Sequence, residues 1–175
     1  MLTELIPKLK GLGAILSEQV DAHKHLTTMA MELRDALVAC DHKAIERLTL
    51  ENERAASKVR SLENKRIKFL KDSGLAGDGD ISFSSIEKAL AGEELTPEEI
   101  AALDELRNKR AELAGLINEL DHHNQLNITL IGQALEYQQL SMQLILNAIS
   151  GEPGGYTREG ASRPNERSGL FDGIA

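Results

Sequence analysis

The sequence predicts an all-α protein: an elongated antiparallel coiled coil or helical bundle of two to three long helices, with a flexible C-terminal tail. Apolar residues recur at alternating steps of three and four, the spacing of a helix that packs on another helix. A hydrophobic content of 41% and only four prolines in 175 residues favour a folded helical chain. After Gly151 the composition changes abruptly to Gly, Pro, Ser, Arg and Glu, and the apolar period is lost.

The first helix is expected over about residues 2–40, along one apolar seam. Only Gln19 and His23 interrupt this seam with polar side chains. The seam consists of Leu2, Leu5, Leu9, Leu12, Leu16, Gln19, His23, Leu26, Ala30, Leu33, Leu37 and Cys40. Because it ends the seam, Cys40 is expected to be a small buried hydrophobe and not a reactive thiol.

The second helix is expected over about residues 41–73. Asp41 can cap its first turn, and Gly74 opens a glycine-rich stretch that stops it. The residues around Cys40 and Asp41 are compatible with a bend, a short turn or a continuous helix, and the sequence leaves these three open.

The third long helix is expected over about residues 97–150, after a short helix over about residues 82–91. Its start is marked by the sequence Thr-Pro-Glu-Glu at 96–99, in which Thr caps, Pro takes the first helical position and Glu99 completes a capping box. These elements predict one helical domain over residues 1–150 and a flexible tail over residues 151–175.

Composition and charge exclude several classes of partner. Twenty Lys and Arg against 28 Asp and Glu give a formal charge of −8, which disfavours nucleic acid and anionic membranes. Aromatic residues make up only 3%, too few for a base-stacking surface. The single cysteine and the lack of a signal-peptide pattern predict a reducing, cytoplasmic location. No stable membrane insertion is expected, because the most apolar stretch, residues 126–149, contains Glu136 and several amides.

Catalytic, metal and cofactor sites are not expected. His23 and His25 would point to different sides of a helix, as would His122 and His123, so neither pair can share a metal ion. The Asp-Gly-Asp at 78–80 lacks the rest of a calcium loop. Neither a nucleophile elbow nor a phosphate-binding glycine loop is present, and the sequence therefore predicts a protein that is not an enzyme.

The back half of the third long helix is unusually poor in charge. From His122 to Gly151 there is no Lys, Arg or Asp, and Glu136 is the only acidic residue. At about 100° per residue, two apolar stripes emerge, separated by more than about 100°. The first contains Leu126, Leu130, Ala134, Tyr137, Ser141, Leu144 and Ala148, a suitable seam for neighbouring helices. The second contains Ile128, Ile131, Leu135, Met142, Leu146 and Ile149.

Three interpretations of the second stripe remain open on the sequence. Both stripes can be internal to a three-helix bundle. The second stripe can stay open and receive an apolar helix of another protein. It can also pair with a copy of itself.

Several segments of the chain resemble the FlgN family of flagellar export chaperones, over about residues 2–160. They are ELRDALVACD at 32–41, IERLT at 45–49, ENER at 51–54, LENKR at 62–66, LDHHN at 120–124 and GYTREG at 155–160. The combination of helical coil, uncharged helix end and Tyr-x-x-x-Gly tail is the most specific part of this resemblance.

The resemblance implies a cytoplasmic, non-catalytic chaperone that captures the apolar terminal helices of hook–filament junction proteins, prevents their premature assembly and delivers them for export. The residues expected to bind the partner are Ile128, Ile131, Leu135, Tyr137, Met142, Ile145, Leu146 and Ile149. By position in the family pattern, Tyr156 would dock on the flagellar export gate and ATPase complex. A monomer is expected, with self-association as an alternative.

A structural or regulatory coiled coil, such as an adaptor or the stalk of a secretion ATPase, is the rival prediction. A metal-dependent helical-bundle enzyme comes third, since it needs Glu-x-x-His spacings that the chain lacks. The family pattern accounts neither for the apolar pair Leu170 and Phe171 nor for the glycine-rich loop at 74–80.

Overall fold

The structure is a computed structural model that describes residues 5–75, 83–90 and 94–149. It contains the helices α1 (Leu5–Val38), α2 (His42–Ser73), α3 (Phe83–Leu90) and α4 (Pro97–Ile149), and the described ranges hold no strand. The predicted all-α bundle is confirmed, while its coiled-coil detail stays a prediction. None of the described helices combines the length and apolar character that a membrane span requires.

A short turn separates α1 from α2, which resolves the three alternatives left by the sequence. Cys40 adopts a left-handed conformation with φ 53°, and the Asp41 carboxylate accepts a hydrogen bond of 3.1 Å from the Ala44 N–H. The prediction that Cys40 is buried is wrong, because its thiol is exposed. The cause is local: α1 ends at Val38, so the seam stops before Cys40 can take its place in it.

Local capping defines the end of α2 and the start of α4. Gly74 ends α2 with φ 65°, and its N–H donates to the Lys71 carbonyl. At the start of α4 the Glu99 carboxylate accepts a 2.8 Å hydrogen bond from the Thr96 N–H, and the Thr96 hydroxyl accepts one from the Glu99 N–H. The predicted capping box is thus present, and it allows Glu99 to be only 2% exposed.

The core is centred on α1. Fifteen residues of α1 are buried, against three of α2 and four of α4. Gln19 and His23, the polar interruptions of the seam, are 2% and 8% exposed and therefore face inward with their apolar neighbours. A helix buried on so many sides must contact a helix on more than one face, which places α1 between α2 and α4.

Contacts between the helices give their directions. Glu18 and Lys65 form an ion pair at 2.9 Å, and Gly11 faces the Phe69 ring, so α1 and α2 are antiparallel. The Lys109 ammonium donates to the Gly13 carbonyl at 3.3 Å. The Asn127 amide donates to the Ala30 carbonyl at 2.9 Å. From the first of these contacts to the second, the residue number rises along α1 and along α4 alike, so the two helices run parallel.

The chain divides into two compact units, residues 1–133 and 134–175, and α4 contributes to both. The described part of the second unit is the last stretch of α4, residues 134–149. The predicted tail, residues 151–175, lies outside the described residues, and so the predicted domain boundary at residue 150 stays a prediction.

Candidate partner-binding surfaces

The eight residues predicted to bind a partner lie on one helix, and all of them are exposed. Their exposed fractions range from 41% for Ile131 to 77% for Ile149. Ile128 and Ile131 belong to the first unit and the other six residues to the second. Because α4 is continuous from Pro97 to Ile149, its helical period groups these residues into stripes without help from any loop.

Most of the first stripe of α4 is also exposed, in contrast to its expected role as a seam for neighbouring helices; only Leu130 and Ser141 are half-buried. Tyr137 is 76% and Leu144 is 70% exposed. Both residues lie in the stretch of α4 that belongs to the second unit. The interpretation in which both stripes are internal therefore does not describe this chain.

A second candidate surface, which the sequence did not predict, is a groove in the first unit. It has a volume of about 470 Å³ and is lined by all four helices. Leu12, Leu16, Gln19 and His23 of α1 form its floor. Its walls are mainly apolar, with polar groups from Glu63, Arg66 and Arg110. The sequence feature that could have indicated this groove is the pair Gln19 and His23, because polar residues inside an apolar seam often line a polar site.

A partly buried hydrogen-bond network lies along this groove. Gln19 Nε2 donates to Glu63 Oε2 at 3.0 Å, and Arg66 donates to the same carboxylate at 2.6 Å and 2.8 Å. The hydrogen bonds from the Arg66 guanidinium hold the pKa of Glu63 below its usual value of 4.5, and the Gln19 amide acts in the same direction. The same ion pair raises the pKa of Arg66.

Acid should weaken the fold partly through Glu63. Because its folded-state pKa is lowered, the carboxylate stabilises the fold above its unfolded pKa, and this contribution is lost as the pH falls through the folded-state pKa. We expect Glu63→Gln to reduce the drop in melting temperature between about pH 5 and about pH 3. Thermal melts followed by circular dichroism measure it, with Glu46→Gln, an exposed carboxylate of α2, as control. Equal acid sensitivity of wild type and Glu63→Gln would contradict this assignment.

His122 and His123, considered as metal ligands, contribute to neither candidate surface among the described residues. His122 and His123 have ring centroids 5.8 Å apart, and in the part of the chain that the structure describes no three His, Cys, Asp or Glu residues group around a common point. Tyr156, Leu170 and Phe171 lie outside the described residues, as does most of the glycine-rich loop.

Comparison with known families decides the class of protein to which this helical architecture belongs. A family model described as FlgN protein matches residues 1–164. The chain belongs to the FlgN family. FlgN proteins are flagellar export chaperones and not enzymes, and the chaperone role in flagellar export is thereby confirmed. No match was found among curated proteins or among solved structures.

Proposed function

We propose that this FlgN protein is a cytoplasmic chaperone that binds the apolar terminal helices of hook–filament junction proteins before their export. The observation that supports the proposal is the exposure of all eight predicted binding residues at the end of α4. Contiguous exposed apolar side chains of this number are unusual on a monomer and mark a surface that another molecule covers.

The chemistry of the exposed end favours a helix as the partner. Apolar residues at helical spacing fit the apolar face of another amphipathic helix, as in other helix-in-groove complexes. Fully burying one Leu or Ile side chain contributes about 1.5–3 kcal/mol, so covering the eight exposed residues can supply a useful affinity even after the cost of association. Glu136 is the only charged residue between positions 126 and 149, so little charge has to be desolvated.

The same surface would prevent premature assembly. A junction protein whose terminal helices are covered cannot use them to pair with other subunits. Met142 and the unbranched Gln side chains beside it can adjust to more than one client sequence. Release then requires only that the export machinery compete for, or unfold, the bound helix.

Light scattering behind size exclusion tests this proposal on the full chain, alone and mixed with a junction protein from the same genome. We expect a monomer that forms a discrete complex with the junction protein. A stable homo-oligomer that ignores the junction protein would overturn the proposal, and self-assembly as an adaptor or stalk would replace it.

The tail is expected to serve delivery and not capture, with Tyr156 docking on the export gate and ATPase complex. Removing residues 152–175 should leave the affinity for the junction protein unchanged and reduce its secretion. Calorimetric titration measures the first effect and the amount of junction protein in culture supernatant the second. Tyr156→Ala should reproduce the secretion defect of the truncation. Normal secretion by the truncated chain would contradict a role of the tail in docking.

A further inference from the structure

The second half of α2 concentrates positive charge in an otherwise acidic chain. Seven of the 18 residues from 54 to 71 are basic and one is acidic, a local charge of +6, whereas the formal charge of the whole chain is −8. At about 100° per residue, six of the basic residues fall within an arc of about 160°. These six are all exposed and are called the basic face: Arg54, Lys58, Arg60, Lys65, Lys68 and Lys71.

The single acidic residue of this segment does not neutralise the basic face. Glu63 lines the groove, where its carboxylate accepts hydrogen bonds from Arg66 and Gln19. Within residues 5–75, 83–90 and 94–149, Lys65 is the one member of the basic face that has an ion pair, with Glu18 of α1 at 2.9 Å. Most of the positive charge therefore faces solvent without an acidic partner among the described residues.

The basic face is unfavourable for the isolated chain, because like charges on neighbouring turns destabilise a helix. Arg54 and Lys58 are four residues apart, and three lysines follow at steps of three from Lys65. The first half of α2 shows the stabilising alternative, since Arg47 and Glu51 form an ion pair at 3.0 Å across a spacing of four. A long row of unpaired charge on one helix indicates a partner that supplies the opposite charge.

The other side chains of the segment argue against a membrane or a nucleic acid as this partner. None of the exposed large apolar side chains among the described residues lies between positions 54 and 71, so nothing there can insert into a bilayer. The one aromatic residue of the segment, Phe69, lies against Gly11 of α1, so no ring is available for base stacking. A membrane or a duplex would also meet the negative remainder of the chain, whereas a narrow polypeptide covers the basic face alone.

A second copy of the chain is a poor source of the matching negative charge. Its acidic residues recur at steps of seven along the first half of α4: Glu98, Glu105, Glu112 and Glu119. The two central ones are already in ion pairs, Glu105 with Lys109 at 2.7 Å and Glu112 with Lys24 at 2.6 Å. A different protein, with carboxylates that are not yet paired, fits the basic face better.

We propose that the basic face of α2 binds an acidic helix of another protein, in which Glu or Asp recurs at steps of three and four. The face extends about 26 Å from Arg54 to Lys71, so the partner helix needs about five turns. The contact is electrostatic, which gives rapid association and a strong dependence on salt. The basic face shares no residue with the predicted client-binding residues of α4, so this partner is distinct from the client and the inference does not rest on the proposed function.

An acidic helical peptide tests the proposal on the full chain by fluorescence anisotropy. The probe is an alanine-based peptide of about 20 residues with glutamates at alternating steps of three and four, and its counterpart has glutamine at the same positions. We expect the glutamate peptide to bind at about 50 mM salt and to bind at least tenfold more weakly at about 300 mM. The glutamine peptide should not bind. Failure of the wild type to bind the glutamate peptide would overturn the proposal.

A fourfold variant locates the binding on the basic face. It combines the substitutions Arg54→Gln, Lys58→Gln, Lys65→Gln and Lys68→Gln. We expect it to bind the glutamate peptide at least tenfold more weakly than the wild type, with an unchanged melting temperature because all four side chains are exposed. The matched control removes the same charge from other exposed positions and should bind like the wild type: Lys10→Gln, Lys43→Gln, Arg47→Gln and Lys88→Gln. Equal weakening in both variants would assign the binding to net charge and overturn the proposal.

The other polyanions and the client complete the test. Tighter binding of phosphatidylglycerol vesicles or of a DNA duplex than of the glutamate peptide would assign the basic face to a lipid surface or to nucleic acid and overturn the proposal. Both fourfold variants should bind the junction protein with the affinity of the wild type. Loss of that affinity in the basic-face variant alone would make the face part of the client site and overturn its assignment to a separate partner.

Discussion

Leu146→Asp is expected to abolish capture of the junction protein while leaving the helices of this FlgN protein intact. Leu146 is 52% exposed, so a carboxylate at this position is hydrated in the free chain and costs little stability. In the complex the same carboxylate would be buried against an apolar helix without a partner. We expect a loss of at least about 3 kcal/mol, roughly a hundredfold in Kd, measured by calorimetric titration.

Leu135→Asp, at 54% exposure, should have the same effect. Leu50→Asp is the matched control because Leu50 is 51% exposed and belongs to α2, not to either apolar stripe of α4, and it should bind normally. Circular dichroism of all three variants should give the wild-type helix content. If either substitution on α4 unfolds the chain, its side chain is part of a core and its assignment to the binding surface is wrong.

Leu106→Ala is expected to have the largest effect on stability. Leu106 is 1% exposed in the main apolar cluster of the first unit. Its Cδ2 lies 3.6 Å from the point that a Cβ on Gly13 would occupy, so α4 approaches the backbone of α1 closely here. Truncating a fully buried Leu costs about 2–5 kcal/mol, because the cavity that remains cannot collapse between two long helices. We expect the melting temperature to fall by about 10 °C.

Leu50→Ala provides the reference for this measurement, because an exposed Leu leaves no cavity when it is truncated. Its melting temperature should stay close to that of the wild type. A Leu106→Ala variant as stable as Leu50→Ala would mean that α4 is not packed on α1 at this point.

The periodicity of the chain was enough to predict the helices and the buried side of α1. Leu9, Leu12 and Leu16 are buried at 1%, 2% and 5% exposure, as their positions in the seam predict. Local chemistry predicted the start of α4 at Pro97, because the Thr96 and Glu99 side chains bind each other's backbone whatever the rest of the chain does. The exposed apolar end of α4 was predictable as a candidate surface, since its lack of charge is visible in the sequence.

Beyond the two polar residues of the seam, Gln19 and His23, the lining of the groove was not predictable, because it depends on residues that are distant along the chain. Gln19 and Glu63 are 44 residues apart and meet only because α1 and α2 are antiparallel in one particular register. Periodicity shows which side chains point inward, but it does not give the register of one helix against another. For the same reason the first stripe of α4 was expected to be covered: Tyr137 and Leu144 have the spacing of a seam, but periodicity does not show whether another helix is present to cover them.

The central position of α1 has a consequence for the order in which the fold forms. Its contacts with α2 connect neighbouring parts of the chain, whereas the bonds from Lys109 to Gly13 and from Asn127 to Ala30 span 96 and 97 residues. Closing the longer loop costs more entropy, so the α1–α2 hairpin is expected to assemble first. During synthesis, the side of α1 that packs against α4 stays uncovered until more than half of the chain has emerged from the ribosome, because α4 begins only at Pro97. Until then the nascent chaperone itself exposes an apolar helix face, the kind of surface that it is proposed to protect in its clients.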